Sequence, residues 1–376
     1  MPVDYHYGKF PPFRLGLEKI VSLIGPANAA IARYDGVLSA IPNANVLLSP
    51  LTTHEAVLSS RIEGTQATMQ EVLEFEAEGD TKRLSSDKKA DINEIINYRK
   101  ALNHAIDMLQ KLPLCQRVIC EIHGILMDNV RGHNKSPGIY RKVPNWIGPN
   151  GCSIEGATFV PISADKLPEA MSRWEEYVND DKVIDRLVQL AVLHAEFEAM
   201  HPFLDGNGRI GRMLIPLFLY QAALLKQPMF YISDYLEANK DEYYGRLLAV
   251  SKDDDWTGWC VFFLKAVHAQ AVKNDSKATA IIKLYNEMKK EFAELTHSQY
   301  AIHSLDWIFG RPIFKGSDFI KQSGIPKPTA SRILNVLKDK NILSEIIQGS
   351  GRRSSTFAYT RLLNIAEGYD VFVSHV

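Results

Sequence analysis

The stretch HPFLDGNGRIGR, residues 201–212, places one imidazole, one carboxylate, one amide, two guanidiniums and three glycines between two apolar segments of helical periodicity. A glycine-rich loop that opens a helix leaves free backbone N–H groups at the helix start, where the positive end of the helix dipole adds to them. Gly206 and Gly208 let the backbone approach a ligand closely. The stretch therefore predicts an anion site at a helix N-terminus.

The charged side chains of the stretch indicate phosphate as the anion. Arg209 and Arg212 are three residues apart, so both can reach a polyphosphate from one side of the first turn. Asp205 is placed to hold Mg²⁺ between phosphate oxygens, and His201 can accept a proton from an attacking hydroxyl near neutral pH. Phe203 is expected to anchor the loop in the core. Each feature alone has a structural explanation, but their combination favours a site.

Composition limits the classes of protein to consider. The 376 residues are 46% hydrophobic and 23% charged, which is typical of a globular protein of two or three domains. The net charge of −1 provides no global attraction for nucleic acid or an anionic membrane. The four cysteines lack zinc-ligand spacing, and no signal peptide or membrane span is evident. We expect a cytoplasmic protein without a membrane partner.

The periodicity of the first 295 residues predicts a mainly α fold with one small β element between 131 and 162. Helices are predicted over 15–32, over 52–78 with a break near Gly64, and over 91–111, 116–129, 166–178, 182–200, 208–225, 237–252 and 256–294.

The order of elements changes after residue 298. The segment predicts a helix, a short strand, two helices and two strands, which is a winged-helix (α+β) arrangement. Its recognition helix is predicted over 328–340. The helix offers Thr329, Ser331, Arg332 and Lys338 for DNA contacts. Lys327 immediately precedes it, and the wing adds Arg352 and Arg353. Winged helices also dock proteins or form dimers, and the chain as a whole is not basic, so these alternatives stay open.

The stretch 201–212 resembles the signature of the Fic family, HxFx(D/E)GNGRxxR. Every fixed position matches, namely His201, Phe203, Asp205, Gly206, Asn207, Gly208, Arg209 and Arg212. The resemblance implies a helical core and the transfer of a nucleotide monophosphate, usually AMP from ATP, to a protein hydroxyl.

The resemblance also implies a role for each residue of the signature. His201 would deprotonate a Ser, Thr or Tyr of the target, and Asp205 would hold Mg²⁺ at the α- and β-phosphates. The turn 206–209 would form the anion hole, with Asn207 at the α-phosphate. Arg209 and Arg212 would contact the β- and γ-phosphates.

A second short motif lies upstream of the core. SSRIEG, residues 59–64, resembles the family's inhibitory motif (S/T)xxxE(G/N) at Ser59, Glu63 and Gly64. The resemblance implies that Glu63, at the end of an inhibitory helix over about 53–64, pairs with Arg212. The γ-phosphate would then be excluded, because a paired carboxylate removes the cation that it needs. The alternative is an ordinary helix turn with a solvated glutamate.

Two further segments resemble parts of the family's site. Residues 151–162 resemble the flap hairpin, on which an extended target segment would present its hydroxyl by strand addition. Residues 237–248 resemble the helix that closes the adenine side, where Asn239, Tyr243 and Tyr244 would contact the base. A pair of tyrosines on a helix face is also common in core packing.

Together these observations predict an N-terminal region over 1–105, a Fic-type core over 106–295 and a winged-helix domain over 296–376. The expected activity is that of a Mg²⁺-dependent protein adenylyltransferase that modifies a target and itself, restrained by Glu63, with a possible homodimer. The alternatives are a nucleotide-sensing transcription regulator, and a Fic enzyme that transfers another nucleotide or removes AMP.

Overall fold

The computed structural model describes residues 1–41, 43–79, 84–130, 135–149, 151–183, 185–351 and 353–371. Arg352, predicted to contact DNA, lies outside these residues. The chain is 64% helical, which confirms the mainly α class. Within the described ranges, every helix is too short or too polar to cross a bilayer.

The helices of the described chain are α1 (Leu17–Ala40), α2 (Ala44–Leu47), α3 (Ser49–Ile62), α4 (Met69–Glu78), α5 (Ser86–Leu109), α6 (Gln116–Leu126), α7 (Leu167–Val178), α8 (Arg186–Met200), α9 (Asn207–Gln221), α10 (Ser233–Ala238), α11 (Lys240–Asp253), α12 (Trp256–Thr296), α13 (Ala301–Gly310), α14 (Gly316–Gln322), α15 (Lys327–Asp339) and α16 (Thr360–Glu367). The strands are β1 (Val3–Asp4), β2 (Phe159–Val160), β3 (Ile313–Lys315), β4 (Ser344–Ile347) and β5 (Thr356–Ala358).

Each predicted helix is present, but the short helix α2 was not predicted and two predicted helices differ in extent. The predicted helix over 237–252 is divided at Asn239, whose backbone (φ −120°, ψ 35°) is not helical. The predicted helix over 15–32 continues to Ala40 as α1. The predicted break near Gly64 is confirmed, and α4 begins after it with a capping box between Thr68 and Glu71.

The chain separates into two compact units. Unit 1 comprises Met1–Gly36, Leu58–Thr65 and Asn93–Asn274. Its centre is the pair α8 and α9, whose side chains are almost all buried. Asp185 caps α8 by accepting hydrogen bonds from the N–H groups of Leu187 and Val188. These two helices place residues 201–206 between them.

A small sheet in unit 1 was predicted only in part. β2 pairs in parallel with β1, which the sequence did not predict, and an antiparallel bridge joins Phe159 of β2 to Ile147. This hairpin, called the flap below, overlaps the predicted range of 151–162 and begins before it, at Ile147. Ile147, in the first arm, lies before that range, whereas β2, in the second arm, lies within it. A 3-10 turn at Ile154–Gly156 lies between the two arms.

Unit 2 comprises Val37–Val57, Gln66–Ile92 and Asp275–Val376. Its C-terminal part runs α13, β3, α14, α15, β4, β5 and α16, with an antiparallel sheet in the order β3-β5-β4. The rings of Phe314 and Phe319 each pack edge-on to Trp307 in its core. This is the element order predicted for a winged helix, and the assignment itself stays a prediction.

Several of the predicted DNA-contacting cations bond within unit 2. Arg332 donates to the carbonyl of Thr296 at 2.7 Å, and Nη2 of Arg353 lies 3.0 Å from Oε2 of Glu78. Lys338 pairs with Glu345 at 2.7 Å. Lys327 is exposed at the start of α15. DNA binding stays a prediction. Three of the predicted basic side chains already have partners within the protein, which leaves fewer of them available to contact phosphate.

Candidate active site

His201 follows the last residue of α8 and takes a left-handed backbone conformation (φ 48°, ψ 61°). Its Nδ1 lies 3.3 Å from the carbonyl oxygen of Glu198, which can only accept a hydrogen bond. The proton of a neutral imidazole is therefore on Nδ1, and Nε2 keeps its lone pair. Burial lowers the pKa of His201 to about 4. The ring is consequently neutral and able to accept a proton at physiological pH.

Arg141, in the segment GIYRKV, fixes the end of α8. Its guanidinium donates to the carbonyl of His201 at 2.9 Å, to that of Met200 at 3.2 Å and to that of Ile162 after β2. The last carbonyls of a helix lack partners within the helix, and this buried cation supplies them. Arg141 thus links the end of α8, with His201, to the residues after β2, and the sequence had assigned it no role.

The loop after His201 is closed by its own side chains. The amide of Asn207 accepts from the N–H of Phe203 at 2.8 Å and donates to its carbonyl at 2.9 Å. The Phe203 ring is fully buried and stacks on His123 at 3.7 Å. The expectation that Phe203 anchors the loop is confirmed. The side chain of Asn207, which was predicted to help place the α-phosphate, closes the loop through these two bonds, and its role at a phosphate stays a prediction.

The turn that was predicted to bind an anion lies at the start of α9. Gly206 is the N-cap residue with a φ of 77°, a conformation that favours glycine. Asn207, Gly208 and Arg209 form the first turn, whose N–H groups have no partner within the helix. The backbone N–H groups on which the anion-site prediction depends therefore lie beside His201.

Arg212 is held by the end of α3, as the inhibitory motif implied. Its Nε donates to Oγ of Ser59 at 2.9 Å, and its Nη2 donates to the carbonyl of Ser59 at 2.8 Å and to Oε1 of Glu63 at 2.7 Å. Burial acts to raise the pKa of Glu63, but the charge and hydrogen bond of Arg212 outweigh it and lower that pKa. The pair is therefore ionic at neutral pH.

The carboxylate of Glu63 also lies against the predicted anion site. A Cβ added at Gly208 would collide with Oε1 of Glu63, so a side chain there would force this carboxylate to move. Gly64 follows with a φ of +100°, which favours glycine at this position of the motif. Lys240 of α11, which the sequence did not single out, donates to the carbonyl of Ile62 at 2.6 Å and holds the end of α3.

Arg209 is oriented by two carboxylates. Nη1 lies 3.2 Å from Oε2 of Glu94 on α5, and Nη2 lies 3.5 Å from Oδ1 of Asp205. Oε2 of Glu94 also accepts from the hydroxyl of Thr65 at 3.1 Å. Sequence reasoning missed Glu94, because one glutamate on a helix gives no signal of a partner 115 positions away.

Asp205 is the candidate for holding Mg²⁺. Burial acts to raise its pKa, but a hydrogen bond from Lys135 at 2.9 Å and the charge of Arg209 outweigh it, so the pKa is lowered and the group is a carboxylate. Across the described ranges, no three His, Cys, Asp or Glu side chains cluster around a metal position. A single carboxylate still fits Mg²⁺, because this ion is commonly held by one or two carboxylates together with substrate phosphates.

A cavity of about 460 Å³, within the range of small-molecule sites, is lined by some of these residues, but Asp205, Asn207 and Arg209 are not part of its wall. Its wall includes Glu63, His201, Gly208, Arg212, the flap residues Ile147, Gly148, Thr158 and Phe159, and Tyr244, Gly245, Leu247 and Leu248 of α11.

The three candidates for the adenine side occupy different places. Tyr244 is 41% exposed and lines the cavity, as predicted. Tyr243 is fully buried and its hydroxyl lies 2.8 Å from Nε2 of His194, so it packs in the core and does not reach the cavity. Asn239 donates to the carbonyl of Tyr235 at 2.8 Å at the junction of α10 and α11, and it is not part of the cavity wall.

A carboxyl group that the sequence did not indicate also lines the cavity. Glu198 lies one turn before His201 on α8, and burial raises its pKa to about 7. A Cβ added at Gly211 would be 2.2 Å from its Oε1, so Gly211 leaves space for this carboxyl group on α9. Glu198 therefore changes charge near neutral pH beside the catalytic candidates.

Comparisons with known proteins agree with this geometry. Residues 21–107 match the model of the Fic/DOC family N-terminal region, and residues 113–219 match that of the Fic/DOC family. A probable protein adenylyltransferase of Aquifex aeolicus is 27% identical over 208 residues, covering 54% of this chain and 59% of that protein. The protein adenylyltransferase Fic of Drosophila grimshawi is 28% identical over 136 residues, which is 35% of this chain and 25% of that protein.

Solved structures are similar in fold. The crystal structure of a Fic family protein from Desulfovibrio desulfuricans superposes with a TM-score of 0.59 at 18% identity, covering 93% of this chain and 98% of that one. Fic-1 from C. elegans superposes with a TM-score of 0.54 at 17% identity, covering 70% and 74%. With matches to both family models, which together span roughly half of its length, the chain belongs to the Fic family.

Proposed function

We propose that this protein transfers AMP from ATP to a hydroxyl group of a protein side chain, and that Glu63 restrains the reaction. The observation that carries the proposal is the convergence of His201, the Gly208 backbone and Arg212 on one cavity that Glu63 partly fills. The names of the relatives, protein adenylyltransferases, support the same reaction.

In this reaction Nε2 of His201 takes the proton of a target hydroxyl. The hydroxyl oxygen forms a bond to the α-phosphorus, and the bond from that phosphorus to the oxygen bridging to the β-phosphate breaks, so that pyrophosphate leaves. The first turn of α9 stabilises charge on the phosphate oxygens, and Arg209 and Arg212 orient the β- and γ-phosphates. Mg²⁺ held by Asp205 and the phosphates would neutralise part of their charge.

The restraint is a competition for Arg212. The γ-phosphate needs the guanidinium that Glu63 occupies at 2.7 Å, and a triphosphate also needs the space at Gly208 that the Glu63 carboxylate fills. A shorter nucleotide lacks the γ-phosphate and does not meet this competition. The proposal therefore predicts that removing Glu63 favours a bound triphosphate over other nucleotides.

The proposed partner is a protein with an extended segment that carries the hydroxyl. Ile147 and Phe159 pair across the flap and line the same cavity as His201, so a strand added along the flap runs past the base. Main-chain pairing demands little of the target sequence, which suits modification of a side chain on a loop or terminus.

The test is labelling with α-labelled ATP, GTP, CTP and UTP in the presence of Mg²⁺. We expect self-labelling from ATP to be at least about tenfold stronger in Glu63→Gly than in wild type, and absent in Glu63→Gly/His201→Ala. ATP labelled at the γ-phosphate should give no product, because that phosphate leaves with pyrophosphate.

Each proposal fails on a different outcome. No labelling of Glu63→Gly by any nucleotide overturns the transferase proposal and favours a nucleotide sensor. Labelling from γ-labelled ATP would indicate phosphoryl transfer, and preference for another base would change the donor. Equal labelling of wild type and Glu63→Gly overturns the restraint and leaves the transfer standing.

A further inference from the structure

A buried polar cluster outside the candidate site joins the N-terminal segment to α8. Glu196 lies on α8 five residues before His201, and its side chain is 1% exposed. One carboxylate oxygen accepts a hydrogen bond from the hydroxyl of Tyr5, and the other lies 2.8 Å from Nε2 of His6. Nδ1 of His6 lies 2.7 Å from the hydroxyl of Ser251 on α11.

The chemistry of this cluster makes it a firm attachment. A buried carboxylate is strongly unfavourable unless donors compensate it, and the donors of Glu196 come from two adjacent residues near the start of the chain. Burial, with the charge of Glu196, raises the pKa of Tyr5, so its hydroxyl remains a donor. Nε2 of His6 donates to Glu196, and Nδ1 then accepts from Ser251.

The attached segment is also a strand of the flap sheet. β1 pairs in parallel with β2, with Val3 opposite Phe159. The N–H of Val3 donates to the carbonyl of Thr158 at 3.1 Å, and that of Tyr5 donates to the carbonyl of Val160 at 3.0 Å. A strand of two residues is marginal alone, so the side-chain attachment stabilises the pairing.

The flap residues next to β1 also belong to the wall of the candidate site. Thr158 and Phe159 line the cavity together with His201. Phe159 exchanges hydrogen bonds with Ile147 on its other side, at 2.9 and 3.0 Å. One edge of β2 is therefore taken by β1 and the other by the arm that contains Ile147. A target strand must add beyond Ile147, at a distance from His201 that depends on where β1 holds β2.

We propose that Tyr5 and His6 are positioning residues, which hold β1 against β2 through Glu196 and so set the position of the flap relative to His201. The inference rests on the proposed function for its catalytic consequence, but not for its structural part. The position of the flap and the position of His201 then both depend on α8, because this helix contains Glu196 and ends immediately before His201. Loosening this support displaces the target hydroxyl while the turn at Gly208 and the two arginines stay in place.

The experiment compares His6→Ala with His6→Gln, which retains a donor for Glu196, and with Tyr5→Phe as a milder change that keeps the ring. Tyr359→Phe in unit 2 is the control for a change at a buried tyrosine. Amide hydrogen exchange is measured at Tyr5, Ile147 and Phe159. We expect exchange at least about tenfold faster in His6→Ala, faster by a smaller factor in Tyr5→Phe, near wild type in His6→Gln, and unchanged in the control.

The same variants are then made in Glu63→Gly. We expect the rate of self-labelling at saturating ATP to fall about tenfold in His6→Ala, while the Kd for MgATP changes less than about twofold. Lower thermal stability without faster flap exchange overturns the inference, as does faster exchange with an unchanged labelling rate. Absence of labelling in Glu63→Gly itself overturns the proposed function, and the exchange result still decides whether Tyr5 and His6 hold the flap.

Discussion

Nη2 of Arg212 lies 2.7 Å from Oε1 of Glu63, while the same guanidinium donates to the hydroxyl and the carbonyl of Ser59. The arginine is almost fully buried, and Glu63 is its acidic partner in these contacts. The end of α3 therefore neutralises a cation that would otherwise be available to a triphosphate. The Glu63 carboxylate resembles a phosphate group in bringing a negative charge and acceptor oxygens to the guanidinium.

Glu63→Gly should lower the melting temperature without nucleotide and increase the rise in melting temperature on adding MgATP. The first effect follows because Arg212 loses its charged partner. The second follows because a ligand stabilises according to its affinity, and about tenfold tighter binding adds about 1.4 kcal/mol near saturation. Thermal melts with and without MgATP check both. An equal rise in both proteins would contradict competition for Arg212.

The ion pair should also give a defined pH dependence. The pKa of Glu63 is lowered in the folded protein from its ordinary value of 4.5, so the pair contributes stability fully above about pH 4.5. That contribution is lost as the pH falls through the lower folded pKa. The difference in melting temperature between wild type and Glu63→Gln should be constant near neutrality and shrink below about pH 4.5. A difference that grows on acidification would have the wrong sign.

The base should stay available across the neutral range. Burial lowers the pKa of His201 to about 4, and Glu63→Gly removes a negative charge that acts in the opposite direction. We therefore measure the labelling rate of Glu63→Gly from about pH 5 to 8. The rate should show no fall on acidification with a midpoint near 6.5, the ordinary pKa of histidine. Glu198, with a pKa of about 7, is tested separately with Glu198→Gln. A midpoint between about 6 and 7 that persists in Glu198→Gln would contradict a lowered His201 pKa.

Lys240→Ala should relieve the restraint partially. Its ammonium donates to the carbonyl of Ile62 at 2.6 Å, next to Glu63, so its loss loosens the end of α3 but leaves the ion pair in place. We expect self-labelling a few-fold above that of wild type and well below that of Glu63→Gly. The factor corresponds to the loss of one hydrogen bond, which contributes about 0.5–1 kcal/mol to the restraint. Lys252→Ala, an exposed lysine on the same helix, is the control. Equal labelling in both lysine variants would show that this contact does not support the restraint.

The sequence predicted the local part of the site well and the long-range part poorly. The loop of residues 201–212 could be interpreted because its chemistry is contiguous and its glycines mark the start of α9 within one residue. Ser59 and Glu63 were found only because a motif joined them to Arg212. Glu94 and Arg141 had no such signal, since their partners depend on how distant helices pack.

Two further differences have simple physical reasons. Adjacent helix residues point about 100° apart, so the sequence could not tell which of Tyr243 and Tyr244 faces the cavity. A strand of two residues, such as β1, is too short for alternation to be recognised, and its pairing with β2 across 156 positions depends on tertiary structure. The predicted helices were reliable because long amphipathic segments repeat their signal over several turns.

The bonds from Arg212 to Ser59 have a consequence of their own. We expect them to hold the guanidinium in place when Glu63 is replaced, so an incoming triphosphate would meet an arginine that has already lost much of its side-chain freedom. In the proposed reaction, α3 would thus be both an obstacle and a template for nucleotide binding. Deleting the helix would remove the obstacle but leave a mobile arginine, whereas replacing Glu63 alone keeps the preorganised half of the arrangement.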